Sequence, residues 1–306
     1  MPPALLYFKA LSDETRLRLL LVLNRYELNV NELVDILGMG QSRVSRHLKI
    51  LTGAGLLDYR RDGLWVFYSA VSGGSGRKFI EAIYPFLSEN GQFRSDLALA
   101  AGIVEDRAAK TRQFFNSIAE EWEHMSEELL GAFELEEIVL AHVPPVCGVA
   151  VDLGCGTGSM LEKLLGRAER VIGVDGSARM LELARRRFKN DEKRISLRIG
   201  NLEHLPLKDT EADFASMNLV LHHLSNPFGV LQEIKRVLAP GGKFALSEFN
   251  QHSDETLRVE YGDHWLGFTI DEIKGILAQS GFELTGTASY PVNKGLVLNF
   301  FTAQKR

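Results

Sequence analysis

A glycine-rich turn between two apolar runs is the part of this 306-residue chain best suited to chemistry. The run 148–153 leads into Gly154-Cys155-Gly156-Thr157-Gly158, and the next run, 170–174, is followed by Asp175. Glycines allow a ligand to lie against bare backbone, and a carboxylate at the end of the next strand can accept hydrogen bonds from ligand hydroxyl groups. This arrangement is typical of a nucleoside-binding site.

The spacing of the glycines narrows the class of nucleoside. Gly154, Gly156 and Gly158 do not fit the G-x-G-x-x-G pattern of nicotinamide dinucleotide sites. Together with Asp152 they fit D-x-G-x-G-x-G, a turn that cradles a nucleoside carrying an amino acid. Singly, a glycine turn can be a plain tight turn and an acid after a strand can be a helix cap. In this order and spacing, the residues predict cofactor binding.

Strands and helices alternate around this turn. Strands are predicted at 148–153, 170–175, 195–199, 212–217 and 243–248, and helices at 159–166, 177–189 and 226–238. This alternation predicts a parallel sheet with helices on both faces and ligands at the carboxyl ends of its strands. The expected fold of this part of the chain is therefore Rossmann-like α/β.

From Thr111 to Phe301 the chain resembles the class I S-adenosylmethionine-dependent methyltransferases, in particular the branch that includes quinone-biosynthesis methyltransferases. Besides the glycine turn, the resemblance rests on two segments. Residues 200–206 match G-D-A-x-x-L-P, and residues 115–122 match the F-x-x-x-A-x-x-W/Y helix that forms a lid over the cofactor. The resemblance implies S-adenosylmethionine as cofactor and a small molecule as methyl acceptor.

The resemblance also implies roles for single residues. Asp152 faces the amino group of the cofactor, and Gly154 and Gly156 lie beside its methionine part. Asp175 accepts hydrogen bonds from both ribose hydroxyls, and Asn218 lies by the sulfonium. The cofactor-binding residues implied in this way are Asp152, Gly154, Cys155, Gly156, Gly158, Asp175, Gly176, Met180, Asn201, Leu202, Asn218, Phe115 and Trp122.

The adenine end of the predicted site departs from the family at one position. Gly176 and Met180 are expected to flank the adenine. The family usually has aspartate where this chain has Asn201. The side-chain oxygen of asparagine can still accept a hydrogen bond from the adenine amino group. We therefore expect binding to persist at reduced affinity.

Two adjacent histidines, His222 and His223, are the candidate catalytic residues, either as a general base or as structural partners. Methyl transfer from a sulfonium is an in-line displacement with an activated leaving group. Positioning and exclusion of water can therefore suffice unless the acceptor must lose a proton. Tyr261, His264 and Trp265 are candidates for lining the acceptor pocket or for packing.

The first 72 residues carry a different pattern, in which helices precede a hairpin. Ser12 is predicted to cap a first helix, and 31–37 and 41–51 to form a second and a third, separated by a turn at 38–40. Asp62-Gly63 then separates two strand-like runs, which predicts a β-hairpin. The expected fold is a winged helix-turn-helix of the α+β class.

The third helix is predicted to be amphipathic. Val44, Leu48 and Leu51 form its apolar stripe, and short or basic side chains occupy another face. Such a helix suits the major groove of DNA, where Arg reads guanine edges and Ser or Gln holds phosphates. With the arginines of the hairpin, the candidate DNA-binding residues are Gln41, Ser42, Arg43, Ser45, Arg46, Lys49, Arg60 and Arg61.

Charge is distributed unevenly along the chain. The net charge is -5, yet residues 1–72 carry nine Lys or Arg against seven Asp or Glu. Within 38–61, five basic residues accompany a single acid, Asp58. Such a local excess is the footprint that phosphate binding needs, although five charges can also form a solvated helix face.

Residues 4–90 closely resemble the ArsR-type winged-helix repressors, on the strength of 42–51 and 54–57. The resemblance implies a homodimer that binds a palindromic double-stranded DNA operator through this region. Ser72–Gly76 is predicted to be a flexible linker. It precedes a dimerisation helix at 77–88 that stops at Asn90. We expect a DNA-binding domain over 1–72, a linker and dimerisation helix over 73–110, and a methyltransferase domain over 111–306.

One departure from the ArsR pattern concerns metal sensing. Members that sense arsenic or cadmium carry C-x-C where this chain has Asn29 and Asn31. Asparagine cannot supply soft thiolate ligands, so we expect no metal site of this kind. A lone histidine on the third helix, His47, is interpreted as a DNA or structural contact rather than a metal ligand.

Composition and hydropathy argue against several further classes of protein. The two cysteines, Cys147 and Cys155, cannot build a disulfide framework or a Cys-rich zinc site. The sequence has no apolar run near the roughly 20 residues needed to cross a bilayer. It does not open like a signal peptide. We therefore expect a cytoplasmic protein without membrane association.

Three functional hypotheses follow. The chain is a transcriptional regulator fused to a small-molecule methyltransferase, or a non-enzymatic repressor that responds to S-adenosylmethionine or S-adenosylhomocysteine. Alternatively, it is an enzyme whose winged region serves only dimerisation.

Overall fold

The computed structural model describes residues 3–87, 91–191 and 193–306. The chain divides into two units, Met1–Ala108 and Ala109–Arg306, each with a buried apolar core of its own. Among the described helices, none is long and apolar enough to cross a membrane. The helix stop predicted at Asn90 lies outside the described residues.

The first unit combines helices with a small antiparallel sheet, whose described strands pair in the order β1-β3-β2. Its core contains Leu19, Leu33 and Leu48, which are fully buried. The last residues of α6 belong to the second unit. The elements are α1 Pro3–Leu11, α2 Glu14–Leu23, β1 Leu28–Asn29, α3 Val30–Leu37, α4 Gln41–Gly53, β2 Leu57–Asp62, β3 Trp65–Ala70, α5 Gly74–Leu87 and α6 Gly91–Ile118.

The cap of α2 differs from the prediction. Asp13, not Ser12, caps this helix, because its Oδ1 accepts a hydrogen bond from the Arg16 N–H at 3.1 Å. The Ser12 hydroxyl instead donates to the Lys9 carbonyl at the end of α1, at 2.9 Å. The sequence analysis did not separate α1 from α2, and Ser12 lies at the junction between them.

The predicted flexible linker at 72–76 is wrong, because α5 begins inside it at Gly74. Gly76 is buried, and a Cβ at this position would lie 2.2 Å from the carbonyl oxygen of Gly55. Glycine therefore permits close packing of α5 against the backbone that follows α4. The small residues of this stretch therefore let α5 pack closely and do not form a flexible linker.

The second unit is built on a seven-stranded sheet within the described residues, in the order β6-β5-β4-β7-β8-β10-β9. Its elements are α7 Trp122–Leu130, α8 Leu135–Leu140, β4 Val149–Leu153, α9 Ser159–Leu164, β5 Arg170–Asp175, α10 Ala178–Arg187, β6 Ile195–Ile199, β7 Ala212–Asn218, a 3₁₀ turn Leu221–His223, α11 Pro227–Val237, β8 Leu238–Phe249, α12 Thr256–Glu260, α13 Ile270–Gln279, β9 Phe282–Pro291, a 3₁₀ turn Asn293–Gly295 and β10 Val297–Lys305.

The Rossmann-like fold is confirmed, but the sheet is mixed rather than parallel. Strands β6, β5, β4, β7 and β8 run parallel, whereas β10 is antiparallel to both β8 and β9. The sequence analysis did not predict β9 and β10. A short connection joins them, and strands joined without a crossover pair antiparallel.

Strand register brings the polar candidates to one edge of the sheet. Leu153 of β4 pairs with Val174 of β5, so the glycine turn and Asp175 follow side by side. Asn218 at the end of β7 pairs with Ser247 of β8. Four carboxyl ends of parallel strands therefore meet at this edge, where ligands bind in folds of this class.

Candidate functional site

The turn after β4 has left-handed backbone at all three of its glycines. The φ angles are +72° at Gly154, +51° at Gly156 and +93° at Gly158. A Cβ at Gly154 would lie 2.4 Å from a methyl group of Val220, whereas at Gly156 the nearest side-chain atom, Nε1 of Trp122, would be 3.6 Å away. The turn needs glycine for its conformation and presents bare backbone below the tryptophan.

Asp175 orients the backbone of this turn. Its Oδ2 accepts a hydrogen bond from the Gly156 N–H at 2.8 Å, and its Oδ1 accepts one from the Ser177 N–H at 2.7 Å. Burial raises the pKa of Asp175, although these backbone hydrogen bonds lower it. The Gly176 N–H contributes a third backbone hydrogen bond. A carboxylate has about four acceptor sites, so about one remains for a ligand hydroxyl. It can therefore fill part of the ribose role that the sequence predicts, by accepting from one hydroxyl.

Asp152 is buried beneath the turn. Its Oδ1 accepts a hydrogen bond from the Ser216 hydroxyl at 2.7 Å. Burial raises the pKa of Asp152 to about 7; the Ser216 hydrogen bond opposes this shift and the charge of Asp175 adds to it. A ligand cation beside the carboxylate would favour its ionised form. The site therefore suits the ammonium group of an amino acid.

The end of α6 and the start of α7 cover the turn as a lid. The rings of Phe115 and Trp122 meet edge to face, with their centroids 5.4 Å apart. The side-chain oxygen of Asn116 accepts hydrogen bonds from the Ser177 hydroxyl at 2.8 Å and from the Arg179 N–H at 3.2 Å. These contacts attach the lid to the loop that follows Asp175.

Ion pairs at the surface also hold the lid. Arg179 pairs with Glu120, and Arg187 pairs with Glu123. Glu123 additionally accepts a hydrogen bond from the Thr157 hydroxyl of the glycine turn at 2.8 Å. The lid is therefore joined to the turn by polar contacts and covers it with aromatic rings.

Asn218 contains a buried donor that the described protein atoms do not satisfy. Its Oδ1 accepts a hydrogen bond from the Ser247 hydroxyl at 3.0 Å, but Nδ2 is buried and has no partner among the described residues. The next residue, Leu219, has φ +55°, a backbone region uncommon outside glycine. A buried amide without a partner is costly, so a ligand group would stabilise this position.

Other predicted cofactor residues surround the turn in different ways. Met180 is buried on α10, with its sulfur 4.0 Å from the position of a Cβ at Gly156. Gly176 directly follows Asp175, and a Cβ at this position would lie in van der Waals contact with the Arg112 side chain, at 3.5 Å. Both lie where the adenine contacts were predicted, and those contacts stay a prediction.

The side chains of Cys155 and Leu202 are buried. Burial raises the pKa of the Cys155 thiol, so the group is a neutral packing side chain and not a nucleophile. The side chain of Asn201 is exposed, and its Oδ1 accepts a hydrogen bond from the Glu203 N–H at 2.9 Å. This oxygen stabilises its own turn and has a second lone pair for a ligand.

His222 and His223 are both buried in the 3₁₀ turn but have different partners. His222 Nδ1 lies 2.6 Å from Oε1 of Glu248, and its Nε2 lies 3.5 Å from Oδ1 of Asp263. His223 Nδ1 lies 3.2 Å from the carbonyl oxygen of Gly262. The two histidines were predicted to share one candidate role. Both lie near Asp263, but only His222 is also paired with Glu248.

The surroundings shift the two pKa values in opposite directions. Burial alone would lower the pKa of His222, but Glu248 and Asp263 outweigh it and raise this pKa to about 9. Burial and the neighbouring charge of His222 lower the pKa of His223 well below its usual value. At neutral pH the first ring is therefore charged and the second is neutral.

His222, His223 and Asp263 each bring one potential metal-ligand atom within 4.8 Å of the others. Glu248 already engages Nδ1 of His222, however, and the Gly262 carbonyl engages Nδ1 of His223. We therefore interpret these side chains as a hydrogen-bonded ionisable cluster rather than as a set of metal ligands.

The aromatic candidates for the acceptor pocket take packing roles. Trp265 is fully buried, and its indole N–H donates to the carbonyl oxygen of Leu224 at 2.8 Å. Tyr261 is also buried and donates through its hydroxyl to Glu128 at 3.1 Å. The ring of His264 lies against Trp265, with centroids 4.3 Å apart.

Glu248 and Asp263 were not predicted as functional residues. A signal existed for Glu248, since it is a carboxylate near the carboxyl end of a parallel strand, like Asp175. Asp263 lies in the loop after α12, where nothing in the local sequence indicates an inward-facing charge.

In the first unit, α4 presents the side chains predicted to face DNA. Val44, Leu48 and Leu51 are fully buried, which turns the polar face outward. The exposed residues of this face are Gln41, Ser42, Arg43, Ser45, Arg46 and Lys49.

The hairpin arginines differ from each other. Arg60 points toward the body of the unit, pairs with Glu27 at 3.4 Å and is only 16% exposed. Arg61 is exposed. The prediction that both arginines extend toward DNA therefore needs correction for Arg60, whose charge is already paired with that of a carboxylate.

Of the positions linked to metal sensing, Asn29 has a structural role. Asn29 caps α3, because its Oδ1 accepts hydrogen bonds from the N–H groups of Asn31 and Glu32, and the Glu32 carboxylate accepts one from the Asn29 N–H. His47 is buried, with Nδ1 3.7 Å from Oδ1 of Asp13, and burial lowers its pKa. Nδ1 of His47 is buried and makes no hydrogen bond within the described residues, so its role as a DNA or structural contact stays a prediction.

Two family models match the chain, one in each unit. A methyltransferase domain model matches residues 151–246, and the model for the bacterial regulatory protein, arsR family, matches residues 13–59. A demethylmenaquinone methyltransferase of Symbiobacterium thermophilum is 31% identical over 175 residues, covering 54% of this chain and 68% of that enzyme. This chain belongs to the class I methyltransferases. These enzymes use S-adenosylmethionine, and here their domain is fused to an arsR-family helix-turn-helix domain.

Further comparisons agree with this assignment. A demethylmenaquinone methyltransferase of Lactobacillus johnsonii is 32% identical to this chain over 139 residues, which is 41% of its length. The chain spans 57% of the length of that relative. The solved 1,6-didemethyltoxoflavin-N1-methyltransferase of Burkholderia thailandensis shares the fold, with a TM-score of 0.54 and 24% identity over 66% of this chain and 90% of that one.

The residues of this chain fit the cofactor of the family. The glycine turn leaves backbone bare, Asp175 has a free acceptor site, and the buried amide of Asn218 lacks a partner among the described residues. Asp152 and the lid complete a set of groups able to hold a charged amino-acid nucleoside.

Proposed function

We propose that this methyltransferase moves a methyl group from S-adenosylmethionine to a small molecule and also binds operator DNA as a regulator of transcription. The observation that carries the enzymatic part is the carboxylate of Asp175 holding the Gly156 N–H beside a bare glycine turn. The exposed basic face of α4 supports the DNA-binding part.

The chain's own groups would provide binding and positioning. When bound, S-adenosylmethionine supplies a methyl group on a positively charged sulfur. Asp152 would hold the ammonium group and Asp175 a ribose hydroxyl. Phe115 and Trp122 would exclude water from the reacting atoms. Since the leaving group is already activated, no protein nucleophile is required.

The enzymatic proposal is tested by two measurements on the full chain. Isothermal titration should show binding of S-adenosylmethionine, and incubation with candidate acceptors should release S-adenosylhomocysteine. Wild-type protein that binds neither S-adenosylmethionine nor S-adenosylhomocysteine would overturn the proposal.

We further propose that the chain acts as a homodimer on a palindromic operator. Large apolar side chains on α1 and α5 support this, since Phe8 is 61% exposed and Phe86 is 85% exposed. Analytical ultracentrifugation should report a dimer that Phe86→Asp weakens. A wild-type monomer at micromolar concentration would contradict the proposal.

A second candidate function is a repressor that responds to S-adenosylmethionine or S-adenosylhomocysteine without transferring a methyl group. The capping role of Asn29 favours it, because this position offers no thiolate to sense a metal. The signal would then enter through the cofactor site.

This candidate is tested by DNA affinity. A duplex selected from a random-sequence pool is titrated by fluorescence anisotropy with no ligand, with S-adenosylmethionine and with S-adenosylhomocysteine. A coupling between the two sites must appear as a ratio of affinities. Equal affinities in all three titrations would reject the sensor function and leave the enzymatic one standing.

A further inference from the structure

The hydrogen bond of His223 determines which ring nitrogen carries its proton. Nδ1 lies 3.2 Å from the carbonyl oxygen of Gly262. A carbonyl oxygen can only accept, so Nδ1 must be the protonated nitrogen of the neutral ring. Nε2 then carries a lone pair and makes no hydrogen bond to any described residue. In this tautomer, Nε2 is the ring nitrogen that can accept a proton from another molecule.

His222 has acceptors on both ring nitrogens. Glu248 lies 2.6 Å from Nδ1, and Asp263 lies 3.5 Å from Nε2. Two carboxylates fit a ring in which both nitrogens are protonated. Asp263 Oδ1 also lies 3.8 Å from Nδ1 of His223 and favours a proton there. The centroids of the two histidine rings are 4.0 Å apart, so the charge on His222 disfavours a second proton on His223. His264 acts on His223 in the same direction.

The neutral histidine lies against the lid. The rings of His223 and Phe115 meet edge to face, with centroids 4.8 Å apart. Phe115 in turn meets Trp122, which lies over Gly156. His223 is therefore part of the same aromatic cluster that covers the glycine turn, whereas the Glu248–His222 pair lies deeper in the core.

We infer that His223 accepts, through Nε2, the proton of the acceptor's nucleophilic atom, and that Glu248 and His222 position it for this step. The inference rests on the proposed methyl transfer. It narrows the acceptor to a molecule whose nucleophilic atom carries a weakly acidic proton, such as a phenol, a hydroquinone or a thiol. A tertiary amine or a thioether has no such proton.

The step balances without a further reactant. The bond between the nucleophile and its hydrogen breaks, and the proton goes to Nε2 of His223. The freed electron pair forms the bond to the methyl carbon, and the electrons of the carbon–sulfur bond remain on sulfur. The imidazolium of His223 then returns its proton to water, which restores the base.

Nuclear magnetic resonance of the full chain, labelled with ¹⁵N at its eight histidines, tests the protonation states without any reaction. At pH 7 we expect one ring with two protonated nitrogens, absent in His222→Asn, and one Nδ1–H tautomer, absent in His223→Gln. Glu248→Gln should shift the titration of His223 to higher pH. If this variant does not fold, the wild-type and His223→Gln spectra decide.

The inference is overturned by a His223 ring that is charged or carries its proton on Nε2. It is equally overturned by histidine signals that a chelator shifts, since these would show a metal ion in the cluster.

Kinetics tests the acceptor class. Release of S-adenosylhomocysteine is measured with 1,4-naphthohydroquinone, phenylmethanethiol and N,N-dimethylaniline. His223→Gln should lower kcat for the first two by about 10²–10⁴-fold and leave the affinity for S-adenosylmethionine unchanged. The matched control is His142→Gln at an exposed histidine of the same unit, which should retain wild-type kcat.

Two kinetic results contradict the inference while leaving the proposed function intact. One is wild-type activity on the tertiary amine alone, and the other is full kcat in His223→Gln. A wild-type protein that fails to bind S-adenosylmethionine contradicts the proposed function instead. In that case the resonance spectra still test the protonation state of His223.

Discussion

The carboxylate of Asp175 accepts a hydrogen bond from the backbone N–H of Gly156 across 2.8 Å. This contact joins the end of β5 to the turn that follows β4. The second oxygen of the carboxylate holds the Ser177 N–H at the start of the next helix. These hydrogen bonds within the protein fix the shape of the turn, so a ligand need spend little binding energy in ordering it.

Replacing Asp175 by asparagine should weaken cofactor binding. Asp175→Asn keeps one oxygen acceptor but loses the charge and at least one of the backbone hydrogen bonds. Hydrogen bonds to charged groups contribute about 1.5–3 kcal/mol, so we expect a loss of about 10- to 100-fold in affinity for S-adenosylmethionine by isothermal titration. Asp209→Asn, at an exposed carboxylate, is the control. Equal affinity in the Asp175 variant and the wild type would reject the site assignment.

Cofactor affinity should rise between pH 6 and pH 8. Burial raises the pKa of Asp152 to about 7, so the carboxyl is mostly protonated at pH 6 and mostly ionised at pH 8. Only the ionised form attracts an ammonium group. Isothermal titration across this range should show a gain of about tenfold in the wild type. Asp152→Asn should bind weakly with little dependence on pH, and a flat wild-type profile would contradict this role.

Stability should fall at alkaline pH because of His222. Its pKa in the folded state is raised to about 9, above the ordinary 6.5, so the stabilisation is complete below pH 6.5 and is lost as pH rises through 9. Breaking the buried pair with Glu248→Gln should lower the free energy of unfolding by about 3–5 kcal/mol at pH 6. Urea denaturation should show this difference shrinking toward pH 10.

The control for that series is Glu283→Gln, which removes a carboxylate from an exposed ion pair with Arg306. Exposed pairs contribute about 0–1 kcal/mol, so this variant should unfold like the wild type at each pH. A difference between Glu248→Gln and wild type that does not change with pH would show that His222 is not charged in the folded protein.

Removing the cap of α3 should destabilise the first unit. Asn29→Ala loses the side-chain oxygen that accepts from the Asn31 and Glu32 N–H groups, and removal of an N-cap costs about 1 kcal/mol. Asn31→Ala, at an exposed side chain two residues away, should change the free energy of unfolding by less than about 0.5 kcal/mol. Thermal denaturation monitored by circular dichroism compares the two variants. Equal stability of Asn29→Ala and Asn31→Ala would show that the Asn29 side chain does not cap α3.

Arg46 and Lys49 should act through phosphates or base edges of DNA. Each alanine variant should weaken binding to the selected duplex and reduce the slope of log affinity against log salt concentration by about 1 for each phosphate that the side chain neutralises. Lys9→Ala, an exposed lysine on α1, should bind like the wild type. If the winged unit serves only dimerisation, the wild type and both variants will bind the duplex with the same background affinity.

Local sequence was sufficient for the parts of the fold that depend on periodicity and turn chemistry. The alternation around β4, β5 and β7, the glycine turn and the apolar stripe of α4 are properties of contiguous residues. The orientation of Arg60 was not predictable in this way, because it depends on Glu27 across the sheet. A carboxylate 33 residues away leaves no local pattern.

The same limit applies to the histidine pair. His222 and His223 are neighbours in the chain, so the sequence offers no reason to separate their roles. The separation comes from Glu248, which β8 places beside the turn through its pairing with β7, and from Asp263 in a later loop. Contacts of this kind require knowledge of strand order, which sequence pattern did not supply for β9 and β10 either.

The ion pairs of the lid have a consequence for the rate of ligand exchange. Arg179–Glu120 and Arg187–Glu123 lie at the surface, where dissolved ions weaken attraction between charges. The contacts beneath them, between aromatic rings, are insensitive to dissolved ions. Salt should therefore speed the opening of the lid more than it changes the affinity of the closed site, so turnover limited by product release would increase with ionic strength.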